Sequence, residues 1–480
     1  MSQHEKSSDE NSQTDVEQGS PELAIGRLDW DGPDDSENPL NWPTLNRNMQ
    51  IIIVALILFI VNLASTMYAP GEQQLQKEFG FHSTIVGTLT VSIFVLGYAI
   101  GPLVWAPLSE LYGRLWVYAA SSILFLAFLI GSAFATSTGQ FIAFRIISGM
   151  AGGCTQALCG ATVADVTPRE KRGKWMSWVV LGPAVGPCVG PIMGGFITQG
   201  AGWRWIFRVL VIACGSVLIL AVFYLRETHA GVIIRRRAIQ RGYKHVDEKE
   251  GNVSSYLLRA TIRPLKLLVL SPIVLALSTY VAIAFGTFFI LLTSFPQVFE
   301  SQYGFTTGTS GLAYLAIGMG SLFGLIIYGV FSDRMVKARA AKTGSSKPED
   351  RLPLMAYFSP SIAIGIFWYG WTVDKHVHWS APIIGSFFIG MGVVFCMMPC
   401  MVYLVDAFGA EAAASAMAAF TLLRSIAGAF LPIAGPPLYR ALGLGWGNSL
   451  LGFISVALIP IPWIFMIYGE RIRLSRKVTL

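Results

Sequence analysis

Two arginines, Arg145 and Arg424, stand inside long apolar stretches of this 480-residue chain. A charge at the centre of a membrane costs about 2.5–3.5 kcal/mol on insertion scales, so one that is kept there is expected to face a cavity or a partner. Arg145 lies only a few residues into its stretch and could instead snorkel to the interface; Arg424 lies deeper. With no carboxylate at similar depth, the pair favours a neutral or anionic ligand over a cation. Four carboxylates, Glu110, Asp165, Asp333 and Asp406, fall at the ends of apolar stretches, two of them beside Arg114 and Arg334. Such neighbours can form charge-assisted pairs that latch one conformational state and break in another, or can simply anchor the chain at the membrane surface.

Other chemistries are poorly served. Six cysteines (Cys154, Cys159, Cys188, Cys214, Cys396, Cys400) lie inside the apolar stretches and read as small packing residues, not as a disulfide framework or a metal site. His229 and His245 belong to a charged segment, and His376 and His378 to a polar loop, so no nucleophile finds a base. No enzyme, metal or cofactor is expected.

The elements that carry these residues are membrane helices. Hydrophobic residues make up 53% of the chain and charged residues 13%, against about 25% charged in soluble domains. About 20 apolar residues cross about 30 Å of hydrocarbon. Windows of that kind fall near 48–69, 84–107, 115–135, 141–164, 174–198 and 204–225, then near 271–296, 310–332, 353–373, 380–404, 412–436 and 447–468. The expectation is an all-α polytopic membrane protein with twelve spans. Residues 1–46 hold 11 of the 28 carboxylates and read as a disordered acidic tail, not a signal peptide.

Basic residues mark cytosolic loops. With the N-terminus inside, 28 of the 35 lysines and arginines fall in cytosolic segments, five outside and two within spans. Both termini are therefore expected in the cytosol, and the net charge of +7 calls for no nucleic-acid partner. The sequon at Asn252 would be cytosolic and unglycosylated. The segment 227–270 divides the chain into six spans over 47–226 and six over 271–469, with 470–480 as a closing tail. Internal similarity supports duplication: Gly149, Met150, Asp165 and Glu170 recur 241 residues later as Gly390, Met391, Asp406 and Glu411.

Gly182, Gly186, Gly190 and Gly194 in span 5 are four residues apart and form a stripe that lets another helix approach closely. Pro183, Pro187 and Pro191 between them can kink it.

At this point the chain resembles the major facilitator superfamily, and within it the fungal drug:proton antiporters with twelve spans. The resemblance rests on Asn38-Pro-Leu-Asn-Trp-Pro43, GPLVWAPLSELYGR from Gly101 to Arg114 (with Gly113), Arg145-Ile-Ile-Ser-Gly149, GPAVGPCVGPIMGG from Gly182 to Gly195, Trp203-Arg-Trp205, RETHAGVIIRRR after span 6 and GWGNSLLGF in span 12. Ala106 replaces the family's usual glycine and Leu115 a basic residue, which implies a weaker latch in the first half. The resemblance implies two six-helix halves around a central cavity lined by spans 1, 4, 7 and 10. Its candidate contacts there are Asn62, Thr66, Thr155, Gln156, Tyr280, Phe288, Thr293, Met397 and Tyr403. It further implies that span 5 is an antiporter motif between the halves, that Arg145 serves proton coupling or binds an anionic group, and that the proton gradient drives export of a drug, secondary metabolite or organic acid. A facilitator or importer of an organic acid or other nutrient is the alternative. A monomer in the plasma membrane, or the vacuolar membrane, completes the expectation.

Overall fold

The computed structural model describes residues 30–168, 171–241, 253–343 and 347–475. The first 29 residues of the acidic tail, Glu170 of the internal repeat, Asn252 of the sequon and the last five residues lie outside the described residues. Those described are almost entirely helical, with no strand among them.

Spans 1 to 6 are the helices Thr44–Thr66, Thr84–Tyr112, Arg114–Ala133, Thr138–Val166, Arg172–Ala201 and Trp203–Tyr224. Span 7 is Pro272–Tyr303, span 8 Tyr314–Thr343, span 9 runs within Pro348–Asp374, and span 10 is Ser380–Phe408. The last apolar helical stretch, Ala413–Arg473, has 61 residues and would be about 90 Å long if straight, three times the thickness of the hydrocarbon. Gly443, with φ +72°, turns the chain within it, and the Gly445 N–H donates to Asp374 Oδ1 at 3.2 Å to hold the turn. Two spans result, which makes twelve among the described residues.

Side-chain hydroxyls start several helices where the first N–H groups have no intrahelical acceptor. Ser83, Ser137 and Ser271 accept from Val86, Gln140 and Val274. Within each half, glycines let helices touch through their backbones. Gly149 of span 4 sits against the Phe94 carbonyl of span 2, and Gly390 of span 10 against the Ile317 carbonyl of span 8. These two glycines are the ones 241 residues apart, so the repeated residues make the repeated contact.

Part of the acidic tail is folded, contrary to the expectation of disorder over 1–46. Asn41 Nδ2 donates to the carbonyls of Pro33 (2.7 Å) and Asp35 (2.9 Å), which gives the Asn38–Pro43 motif a local role. Arg237, on the helix Ala230–Gln240 that follows span 6, pairs with Asp35 at 2.6 Å, Glu37 at 2.5 Å and Asp31 at 3.2 Å, and Arg241 pairs with Asp31. The hydrogen bond from Arg237 holds the Asp35 carboxyl well below the usual carboxylate range. A depressed carboxylate stabilises at every pH above its ordinary value and loses that contribution only as pH falls through the lowered one. Amide hydrogen exchange of the 31–42 segment, corrected for its intrinsic pH dependence, is therefore expected to be equally protected at neutral pH and at about pH 5, and less protected in Arg237→Gln.

Candidate functional site

Arg145 is fully buried, and both terminal nitrogens of its guanidinium are bonded, Nε alone lacking a partner. Nη1 donates to the Ala64 carbonyl at 2.8 Å, and Nη2 to those of Ser65 (3.2 Å) and Val91 (3.4 Å). Ala64 and Ser65 belong to the last turn of span 1, whose carbonyls lack intrahelical donors and carry the negative end of the helix dipole. The side chain also lies over Phe94, 4.6 Å from the ring centroid. Arg145 thus neither snorkels nor faces the seam between halves; it caps span 1 and binds it to spans 2 and 4.

Arg424 is also buried, though less completely, and is differently placed. Its guanidinium stacks on Phe285 of span 7 at 4.5 Å, Nη1 reaches only the Met397 sulfur at 3.8 Å, and Nε has no partner. Across the seam from it, in the first half, Tyr98 of span 2 donates to Gln156 Oε1 at 2.6 Å and accepts from Asn62 Nδ2 at 3.5 Å. The seam therefore brings together Asn62, Gln156 and Arg424 of the sequence-derived residues. Phe288 packs on Phe285 beside them, while Tyr280 is buried with its hydroxyl 3.1 Å from Cys396 Sγ. Tyr403 is a correction: it lies near the terminal end of span 10, its hydroxyl 3.5 Å from Glu349, away from the seam. Thr155 is buried and Thr293 bonds its own helix.

The glycine stripe of span 5 also corrects the expectation. Gly182, Gly186, Gly190 and Gly194 pack on span 1 of the same half, against Phe59, Asn62, Thr66 and Met67. The other half is met by a different face of span 5. Cys188 faces Gly318, the Pro191 carbonyl faces Gly311, and Gly195 faces the Thr307 carbonyl. Gln199 at its end accepts from Gly308 N at 2.9 Å and from Thr306 at 3.1 Å, so this edge closes the seam on the side opposite the termini.

Two carboxylates lie on that same side. Glu72, on the short helix Glu72–Phe79 after span 1, lies against Gly87 of span 2. Burial, and after it the charge of Glu300 of span 7 across the seam, disfavour its ionised form. Glu300 accepts from Ser310 at 3.4 Å and also from Gln73 of the first half, with Lys77 nearby.

The sequence profile of the Major Facilitator Superfamily matches residues 54–432. This chain belongs to that superfamily. The facilitator is 49% identical over 461 residues to "MFS transporter fsa7" of a Fusarium species, covering 94% of this chain and 90% of the relative. It is 47% identical to "MFS-type transporter MFS19" of Alternaria alternata, covering 94% of each. Among solved structures it is similar to the partially occluded, inward-open xylose transporter XylE of E. coli, with a TM-score of 0.66, 17% identity and coverage of 88% and 98% of the two chains. At that identity the likeness is one of fold. The chain is a membrane transporter of fungal type and not an enzyme.

Among the described residues on the terminal side, an arginine near the start of span 3 and one near the start of span 9 are ion-paired, with partners other than those adjacent in sequence. Arg114 pairs with Asp165 of span 4 at 3.3 Å and donates to Ser109 Oγ at 2.5 Å, not to Glu110, which is exposed. Arg351, just before span 9, pairs with both Asp333 (2.6 Å) and Asp406 (3.3 Å); Arg334 is exposed and is not the partner of Asp333. Arg114 and Arg351 stand at equivalent places, the starts of spans 3 and 9, so the duplication extends to the latch. Glu227 of the Arg226–His229 motif receives the N–H groups of Arg114 (2.8 Å) and Leu115 (3.1 Å), capping span 3. Gly113, at φ +94°, makes this possible, because a Cβ there would occupy the space of the Glu227 carboxylate. Gly113→Ala is expected to cost on the order of 2 kcal/mol and to lower the unfolding midpoint in detergent, with Glu227→Gln producing a milder fall.

Proposed function

We propose that this facilitator exports a small organic molecule (a drug, a secondary metabolite or an organic acid) in exchange for protons, by alternating access across the fungal plasma membrane with both termini in the cytosol. Orientation follows from the distribution of lysine and arginine. Proton exchange is supported by one observation: Glu72 of the first half and Glu300 of the second lie on the same outer side of the seam, where burial first and the charge of Glu300 second disfavour ionisation of Glu72. A carboxylate that is buried near a second one is costly to keep charged, so closing the outer side favours uptake of a proton from outside. That is the half-cycle an exporter must drive after it has released its cargo. The terminal-side pairs Arg114–Asp165 and Arg351–Asp333–Asp406 serve as the opposing latches.

The test is transport in liposomes under an imposed pH gradient, with a panel of anionic, neutral and cationic compounds. A gradient of about one pH unit supplies about 1.4 kcal/mol per proton, enough for about tenfold accumulation. Wild-type protein is expected to accumulate its substrate accordingly, and Glu72→Gln only to equilibrate it. Accumulation that follows the gradient in Glu72→Gln would remove the carboxylate from the coupling. Wild-type transport indifferent to the gradient would make the protein a facilitated-diffusion carrier.

A further inference from the structure

We infer that Arg424 is the anchor for an anionic group on the transported molecule, so that the cargo is an amphipathic organic acid carried as its anion. The inference rests on the export reading for the word cargo, but its geometry stands alone. Arg145 and Arg424 are both buried arginines, and the fold treats them oppositely. Arg145 makes three hydrogen bonds to backbone carbonyls. Arg424 makes none to an oxygen; it has an aromatic face and a thioether sulfur, at 8% exposure, and its Nε, like that of Arg145, has no partner. An ion left unpaired in a protein interior costs several kcal/mol. A binding site is where that cost is recovered, because the ligand brings the missing charge.

The surroundings define the rest of the ligand. Arg424 is held by spans 7 and 10 on its own side, where Phe285, Phe288 and Met397 form an apolar and adaptable wall. Facing it from the first half is span 2, whose Val95 side chain lies beside Gly428, one turn on from Arg424; the Tyr98 phenol of that helix is tied to Gln156 and Asn62. Asn62 and Gln156 are only partly buried and carry neutral donors and acceptors. One cation, a ring-lined wall and a pair of amides suit a molecule with an acidic head, a hydrocarbon or aromatic body and a few hydroxyl or carbonyl groups. A cationic drug would have to be desolvated beside Arg424, which selects against it.

The experiment is a binding titration of the full-length protein in detergent micelles, read by its unfolding midpoint and by tryptophan fluorescence. The probes are 2-naphthoic, cinnamic and decanoic acids, each beside its methyl ester, together with inorganic phosphate. At least one acid is expected to bind about 10- to 100-fold tighter than its ester, the range of a charge-assisted hydrogen bond. That preference should fall to about one in Arg424→Gln and survive in part in Arg424→Lys. Should the glutamine variant not fold, Tyr98→Phe on the opposite wall is expected to weaken the acids several-fold. Esters that bind as well as acids, no binding by any acid, phosphate matching the acids, or an acid preference intact in Arg424→Gln would each overturn the inference. Because the titration involves no gradient and no direction, acids that bind while liposomes ignore the pH gradient would sink proton exchange and leave the anion site standing. Gradient-driven export of the esters would do the reverse.

Discussion

Arg145→Gln is expected to leave little folded protein, with the unfolding midpoint of whatever remains lowered by ten degrees or more, on the order of a loss of 4 kcal/mol. Three hydrogen bonds from a charged donor disappear together, each worth about 1.5–3 kcal/mol. Two of the abandoned carbonyls end span 1, that of Ala64 in a buried position. The stacking on Phe94 is lost as well. Arg145→Lys should fare nearly as badly, since one ammonium cannot serve carbonyls of two helices and lie flat on a ring. The contrast with Arg424 is the sharp part of the expectation. There the lysine variant should fold and keep part of its anion preference, because no backbone depends on the guanidinium. Size-exclusion profiles and unfolding midpoints of the four variants, Gln and Lys at each position, decide it.

The second large effect concerns the paired glycines. In Gly149→Ala a Cβ meets the Phe94 carbonyl oxygen, and in Gly390→Ala the Ile317 carbonyl oxygen. In each case the nearest atoms are backbone, which cannot rotate away, so the helices must separate. Each substitution is expected to cost about 1–3 kcal/mol. The double variant should lose the sum to within about 0.5 kcal/mol, because the two contacts lie in different halves. Gly215→Ala, where a Cβ finds nothing within 4 Å, is the control and should be neutral or slightly stabilising. Unfolding midpoints of the three single variants and the double would show whether the repeat is energetic as well as geometric.

The spans were legible because a bilayer imposes one coarse demand, an apolar window of fixed length, and twelve windows meet it. Side-chain partnerships were less legible, and the misses have physical reasons. Asp333 and Arg334 are neighbours in sequence, yet successive residues on a helix point to different sides, so Asp333 pairs with Arg351 instead. Glu110 and Arg114 have helical spacing, but Gly113 ends the helix between them and turns Arg114 toward Asp165. Glu72 sits in Glu72-Gln-Gln-Leu-Gln-Lys-Glu78, which has the composition of a surface loop; only packing against Gly87 and the second half brings it inside. Glu227 caps a helix 113 residues away, a distance no local pattern carries. Arg145 could have been read better: a lone arginine level with the end of a neighbouring span has helix carbonyls at hand.

The clasp of Asp31, Asp35 and Glu37 on Arg237 and Arg241 bears on how the protein is made. During synthesis the acidic strand waits outside the bilayer while six spans are inserted, and its partners emerge only after the last of them. Once residue 241 has left the ribosome, the first half holds every group of its own closure, some 240 residues before the chain is finished. It can set as a unit while the second half is still being translated. The second half has a counterpart in Lys347–Glu470 at 2.7 Å and Glu349–Arg473 at 3.1 Å, pairs that cannot form until the final turns of span 12 arrive. Each half thus carries a lock whose key is among the last of its own residues to be translated.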